Sequence, residues 1–263
     1  MWTSSLDFNN LSSFDTQCDS ISKIISDNII LEHNIVLYTK NIQELLRNRE
    51  NNNIHTYFVR HWQTDRNLQK LMNPWDVDSE LNITGINQWV EMWEICADKN
   101  ITINTIISSG LSRTKNTWLL IWTEIENKQW FPINYINHAK LKEMFAGRLK
   151  DYSHEDLQNE FWTSNNVELR KAYKNESNNG VEWTQEFELR VLEWILETLW
   201  SQEWKNVLYV WHSWTARVFK RIIESISIDD AHYVKPTMPN WIVHQIDTRK
   251  SAVISIMDIE DTA

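Results

Sequence analysis

Short apolar or β-branched runs alternate with segments of helical periodicity along residues 54–258, and this alternation constrains the fold more than any other feature of the chain. Ile54–Val59, Thr105–Ile107, Val207–Val210, Ile242–Ile246 and Val253–Ile256 have strand composition. Between them, Ile86, Val90 and Trp93 share one helical face after the candidate cap Thr84, and Ser109 can cap the helix after the second run. Thr184 to Leu199 reads as a long helix. Phe187, Val191, Ile195 and Leu199 recur every four residues, and Glu186 falls in the first turn, where the helix dipole favours a carboxylate. Thr215–Ile226 is a further helix, and Ser153 with Asp156 forms a weak capping box before Leu157. Strands that alternate with helices favour an α/β fold of three αβα layers around a mostly parallel central sheet. Ligands of such folds sit at the carboxyl ends of the strands. Arg60-His61 and His212 both fall at such ends.

Composition narrows the function. The 263 residues carry a formal net charge of −10 with no basic block, which argues against nucleic acid as a partner. No apolar run reaches the roughly 18 residues of a membrane span. The start, Met1-Trp2-Thr3-Ser4-Ser5, lacks the basic-then-apolar pattern of a secretory signal, so a cytoplasmic location is expected. Cys18 and Cys96 give neither a disulfide framework nor zinc-ligand spacing and read as reduced thiols. Residues 1–53 read as an N-terminal extension and linker. They hold a short apolar piece at 34–38, a helix-like stretch near Ile42–Leu46 and a polar, turn-rich run from Arg47 to Asn53. The domain proper is expected over residues 54–263, and a homodimer is left open.

The most informative segment is Tyr57-Phe58-Val59-Arg60-His61-Trp62-Gln63-Thr64-Asp65-Arg66-Asn67. It resembles the opening motif of the histidine phosphatase superfamily, also called the phosphoglycerate mutase-like family, except that Trp62 stands where that motif has glycine. Further resemblances follow in the family's order. They are Asp78–Gln88, Ile107–Thr117 with its Ser-Ser-x-Leu-x-Arg core, Leu141–Met144 with Gly147, Gly180-Val181-Glu182 with Phe187 and Arg190, Val210–Arg217 around His212, and Pro239-Asn240-Trp241. Together they span residues 54–258.

The resemblance implies phosphomonoester hydrolysis through a phosphohistidine, without metal or other cofactor, on a small phosphorylated substrate. Phosphoryl transfer needs a nucleophile, neutralisation of the phosphoryl oxygens and an acid for the leaving oxygen. By resemblance His61 is the nucleophile. Arg60 and Arg113 offer planar forks of donors that match phosphate oxygens. His212 adds charge or a donor, Thr64 and Asn67 are candidate neutral donors, and Glu143 is the candidate general acid, with Glu155, Glu160 and Glu182 as alternatives. A zinc site from His61, Glu143 and His212 has no supporting short spacing. A cofactor-dependent phosphoglycerate mutase is the rival enzyme. The Gln63-Thr64 pair looks more like the phosphatase branch, and the segment after Glu143 lacks the mutase-typical Arg-His-Tyr-Gly. Lys140, Lys142 and Arg148 could bind a second anionic group or form a solvated charged face.

Glycine and tryptophan counts are unusual. The chain has 4 Gly and 16 Trp, against about 18 Gly expected at the usual ~7%. The two types together come close to that expected glycine count. Trp62, Trp214 and Trp241 stand at common glycine positions of the resembled motifs, as do Trp75 and Trp211, whereas Trp2, Trp130, Trp162, Trp200 and Trp204 have no clear glycine counterpart. Some bacterial lineages read the UGA codon as glycine, and translation of such a gene with a table that reads UGA as Trp produces this pattern. Real tryptophans at 62 and 214 are instead expected to crowd a phosphate site, which suits a catalytically inactive binding protein.

Overall fold

The computed structural model describes residues 11–99, 101–128, 131–162, 180–182, 184–227, 230, 242–255 and 257. In chain order the elements are α1 (Leu11–Asn51), β1 (Thr56–Arg60), α2 (Asp65–Leu68), α3 (Ile83–Asp98), β2 (Thr105–Ser108), α4 (Ser112–Lys128), β3 (Asn134–Asn137), α5 (His154–Glu160), α6 (Thr184–Ser201), β4 (Val207–Trp211), α7 (Ser213–Ile223), β5 (His244–Asp247) and β6 (Ala252–Ser255). Two short 3₁₀ turns, Ala139–Leu141 and Gly147–Asp151, lie between β3 and α5.

The six strands form one sheet in the order β3-β2-β4-β1-β5-β6. The first four are parallel, β5 runs antiparallel to β1, and β6 antiparallel to β5. The expected mostly parallel αβα arrangement is therefore present. The apolar runs of β2 and β4 are buried on both faces, as the central strands of a covered parallel sheet must be. Side chains of each strand alternate between two cores. Phe58, Ile107, Tyr209 and Trp211 meet α1, α6 and α7 through Ile35, Phe187, Val191 and Phe219. Tyr57, Val59, Ile106, Leu208 and Val210 meet α3 and α4 through Met92, Cys96, Ile121 and Ile125.

The N-terminal segment departs from expectation. Residues 11–51 are one helix, and the turn-rich run at 47–53 is its last turn and exit, with Asn53 at φ 58°. The reason is tertiary. Ile35, Ile42 and Leu46, spaced seven and four, are at most 2% exposed in the core beneath α6, so their burial outweighs the β-branched pair Ile35-Val36 and the polar run. Arg49 then ties the helix end to the sheet. Its Nε donates to Thr56, and its terminal nitrogens donate to the carbonyls of His55, Gln202, Glu203 and Lys205.

Candidate active site

The sheet register assembles the site. β1 and β4 pair from Thr56↔Val207 to Arg60↔Trp211, and β2 reaches Ser108↔Val210 beside them. The residue after each of the three strands is His61, His212 or Ser109, so these three emerge together at the carboxyl edge. The His61 N–H prolongs the ladder to Trp211 O at 2.9 Å, and the two imidazole centroids lie 5.3 Å apart.

His61 is 2% exposed, and its Nδ1 lies 2.9 Å from Trp62 O. A carbonyl only accepts, so Nδ1 carries the proton and Nε2 keeps its lone pair. Burial, followed by the charges of Arg113 and Arg60, pushes the imidazole well below its ordinary range. His61 is therefore a neutral base with an available nucleophilic nitrogen.

His212 is fully buried and contacts Ser109 Oγ through Nε2 at 2.8 Å. Thr114 gives its hydroxyl proton to Leu111 O, so Ser109 donates to Thr114 and accepts from His212 Nε2–H. His212 Nδ1 is buried without a hydrogen-bond partner. Burial, then Arg113, His61, Arg60 and Arg190, pushes this imidazole well down too. His212 is not among the described lining residues of the cleft, and an anion brought beside it would offset much of that electrostatic penalty. His212 also caps α7, whose N-terminal amides face anions favourably.

Glu143 follows the first 3₁₀ turn and is 7% exposed. Its carboxyl accepts from Met144 N–H at 3.0 Å and from Trp214 N–H, in the first turn of α7, at 3.3 Å. Burial raises its pKa above the usual carboxylate value, against the opposing pull of the Met144 N–H, Arg113, the Trp214 N–H and Arg60. A carboxyl whose pKa is raised in this way suits a general acid. Of the four acids weighed from sequence, only Glu143 is among the described lining residues of the cleft, which also include Arg60, His61, Asn67, Met72, Phe145, Ser213 and Trp214. Glu160 pairs with Arg148 and Glu182 with Arg190.

Thr64 and Arg113, both expected on phosphate, hydrogen-bond to other parts of the chain. Thr64 is fully buried as the N-cap of α2, where it forms a capping box with Asn67. Asn67 lines the cleft, while Thr64 orients it and is not among the lining residues. Arg113 is likewise fully buried. Its terminal nitrogens donate to the carbonyls of Asn73, Pro74 and Val77, and so fasten the 73–77 loop. It acts on the site through its field, and its Nε is a buried donor without a partner. Burial lowers Arg113 to about 10, with Glu143 and Asp78 opposing. The surface cations are also committed elsewhere: Lys140 pairs with Glu193, Lys142 lies over the Trp75 ring, and Arg148 pairs with Glu160.

Ser109, which holds His212, was read from sequence only as a helix cap. The Ser-Ser-x-Leu-x-Arg pattern carried its signal. Met72 and Phe145 on the cleft wall had no sequence signal at all. The Trp62 side chain does not crowd the cleft, because it is fully buried in the core with Met92, Cys96 and Ile103. Trp214 does line the cleft, with the Arg217 guanidinium 4.0 Å from its ring centroid. Pro239-Asn240-Trp241 lies outside the described residues. Among the described residues no group of three His, Cys, Asp or Glu is placed to hold a metal.

Comparison with known proteins agrees with this geometry. Over a stretch of 114 residues the chain is 30% identical to a 2,3-bisphosphoglycerate-dependent phosphoglycerate mutase of Staphylococcus aureus (strain JH9), covering 43% of this chain and 48% of the mutase. The chain thus spans about half the length of the curated relatives it matches. The fold resembles the alpha-ribazole phosphatase of Shigella flexneri, with a TM-score of 0.58 and 20% identity over 77% of this chain and 94% of that one. It also resembles a phosphoglycerate mutase of Bacillus anthracis str. Sterne, with a TM-score of 0.58 and 18% identity over 73% and 86%. The pattern of the histidine phosphatase superfamily (branch 1) matches residues 56–258. A match over that much of the sequence places this chain in the histidine phosphatase superfamily.

Proposed function

We propose that the chain hydrolyses phosphomonoesters through a phosphohistidine at His61, with Glu143 protonating the leaving oxygen and then activating water. The observation that carries this reading is the Nδ1 contact to Trp62 O, which leaves Nε2 of a neutral His61 as the nucleophile at the cleft. In the first step Nε2 forms a bond to phosphorus while the ester P–O bond breaks, and the alcohol oxygen takes the Glu143 proton. In the second step the Glu143 carboxylate takes a proton from water, which displaces His61 from phosphorus. Arg60, Asn67, His212 and the N-terminus of α7 offset charge on the phosphoryl oxygens. Hydrolysis is favoured over mutase chemistry because Lys140 and Arg148 are tied up in ion pairs and Lys142 lies over Trp75, while Leu71, Met72, Met144 and Phe145 give the cleft an apolar wall. The 30% identity to a phosphoglycerate mutase keeps isomerisation of 3-phosphoglycerate as the second reading. Side-by-side assays of vanadate-sensitive hydrolysis and of 2,3-bisphosphoglycerate-dependent isomerisation decide between them. Isomerisation far faster than hydrolysis reverses the assignment.

We also infer that several tryptophans occupy positions native to glycine, by UGA recoding. A buried indole N–H normally finds an acceptor, yet those of Trp62, Trp118, Trp194 and Trp211 have none. Trp162, which has no glycine counterpart in the resembled motifs, adds a further position. It follows the α5 cap Phe161 with φ 52°, the left-handed conformation that glycine adopts after a helix, and it is 94% exposed. The codons at 62, 162, 211 and 214 test the idea directly, and UGG at all four refutes it.

A further inference from the structure

We propose that Glu182 and Arg190 form a positioning clamp that sets where Glu143 delivers its proton, an inference that rests on the phosphatase reading above. Neither residue lines the cleft. In the sequence the two stand only within the Gly180–Arg190 resemblance, with Glu182 as an alternative acid.

Arg190 uses all five of its N–H donors. Nε donates to Glu182 Oε1 at 2.6 Å, and one terminal nitrogen donates to Glu182 Oε2 at 2.8 Å and to Glu143 O at 3.2 Å. The other terminal nitrogen donates to Lys140 O at 2.6 Å and to Lys142 O at 3.0 Å. The guanidinium also lies 4.7 Å from the ring centroid of Phe187, which is buried in the core. Glu182 grips the same loop from its other side. Its Oε2 accepts from Phe145 N–H at 3.1 Å, and its own N–H donates to Phe145 O at 3.0 Å. The backbone is thus held at residues 140, 142, 143 and 145, on both sides of the Glu143 side chain. Three of the gripped carbonyls, those of residues 140, 142 and 143, are gathered by Arg190 alone, which needs a cation with several fixed donors. Lysine has three donors on a flexible stem and cannot reproduce the fork.

A group that only stabilises the fold affects all substrates alike. A group that places the acid matters most where the leaving oxygen is basic and least where it leaves unaided. The test therefore uses the full chain and its Arg190→Lys and Glu182→Gln variants, with 4-nitrophenyl phosphate and an alkyl phosphate as substrates. Amide hydrogen exchange at residues 143–146 is followed in parallel. The clamp predicts that kcat/KM for the alkyl ester falls at least about tenfold, within the range of general-acid contributions. Hydrolysis of the 4-nitrophenyl ester is expected to fall much less, while exchange at 143–146 quickens. Equal losses on both esters, or unchanged exchange in that loop, overturn the proposal. If neither the parent chain nor its Trp62→Gly, Trp214→Gly variant hydrolyses either ester the phosphatase reading fails on its own, and the exchange measurement alone then decides whether the pair holds the loop.

Discussion

Two arginines, Arg49 buried and Arg190 half-buried, hold backbone carbonyls at opposite ends of the parallel sheet, and their surroundings differ. At the amino end of β1 and β4, Arg49 is 2% exposed, and each of its nitrogens donates to Thr56 or to a carbonyl of the α6–β4 or α1–β1 connection. Nothing there is left over. At the carboxyl end Arg190 is equally saturated, but its neighbours are not: His212 Nδ1 and Arg113 Nε are buried without partners, and two neutral imidazoles stand against positive charge. Buried polar groups are nearly always satisfied, so the unpartnered nitrogens beside the two imidazoles set this end apart from the amino end, although other orphans such as Arg221 Nε lie elsewhere among the described residues. The same residue type builds a closed joint at one end and supports an incomplete site at the other. Incompleteness separates structure from function here more cleanly than burial does.

The sharpest way to break this contrast is His61→Ala, which is expected to abolish turnover and labelling while the chain still folds. Appreciable residual turnover in that variant contradicts the nucleophile assignment. Next in size, Glu143→Gln is expected to slow hydrolysis of alkyl phosphates by about 10²-fold or more, the scale of general-acid catalysis. It is also expected to remove the fall in rate seen as pH rises through the raised Glu143 value. The amino end behaves oppositely. Arg49→Ala orphans several carbonyls and is expected to cost about 3 kcal/mol in denaturant unfolding, with kcat/KM unchanged wherever the variant is folded.

The smallest expected effect is on stability against pH. His61 and His212 lie below their ordinary 6.5 when folded, so their contribution is fully present above 6.5 and is lost as pH falls through the folded values. Replacing either by Asn is expected to flatten that acid-side slope in unfolding titrations. A slope identical to that of the parent chain contradicts the buried neutral state.

How much of this was legible beforehand depended on whether the signal was local. β1, β2 and β4 announced themselves because strands buried on both faces are continuous apolar runs. The His61 and His212 motifs were legible because the chemistry fixes residue types next to strand ends. α1 was misread because its helical state rests on α6 and the sheet beneath it, which no window of residues 34–53 contains. Thr64 and Arg113 were expected on phosphate. Their hydrogen bonds run instead to Asn67 and to the carbonyls of residues 73–77, contacts that depend on where loops return. Trp62 was expected in the cleft, but a single backbone rotation decides whether a residue after a strand faces the site or the core. Three of the five contacts of Arg190 join residues about 50 apart in sequence and belong to the same class.

The central claim is that His61 carries the phosphoryl group. The direct measurement is rapid acid-free quenching of the chain with 4-nitrophenyl phosphate, followed by peptide mapping under conditions that preserve phosphohistidine. The same experiment on the double variant Trp62→Gly, Trp214→Gly covers the glycine assignment. The account predicts a phosphoryl group on the His61 peptide that appears before steady state and disappears when substrate is exhausted. A label on any other residue, or turnover of the ester in the double variant with His61 never labelled, contradicts it.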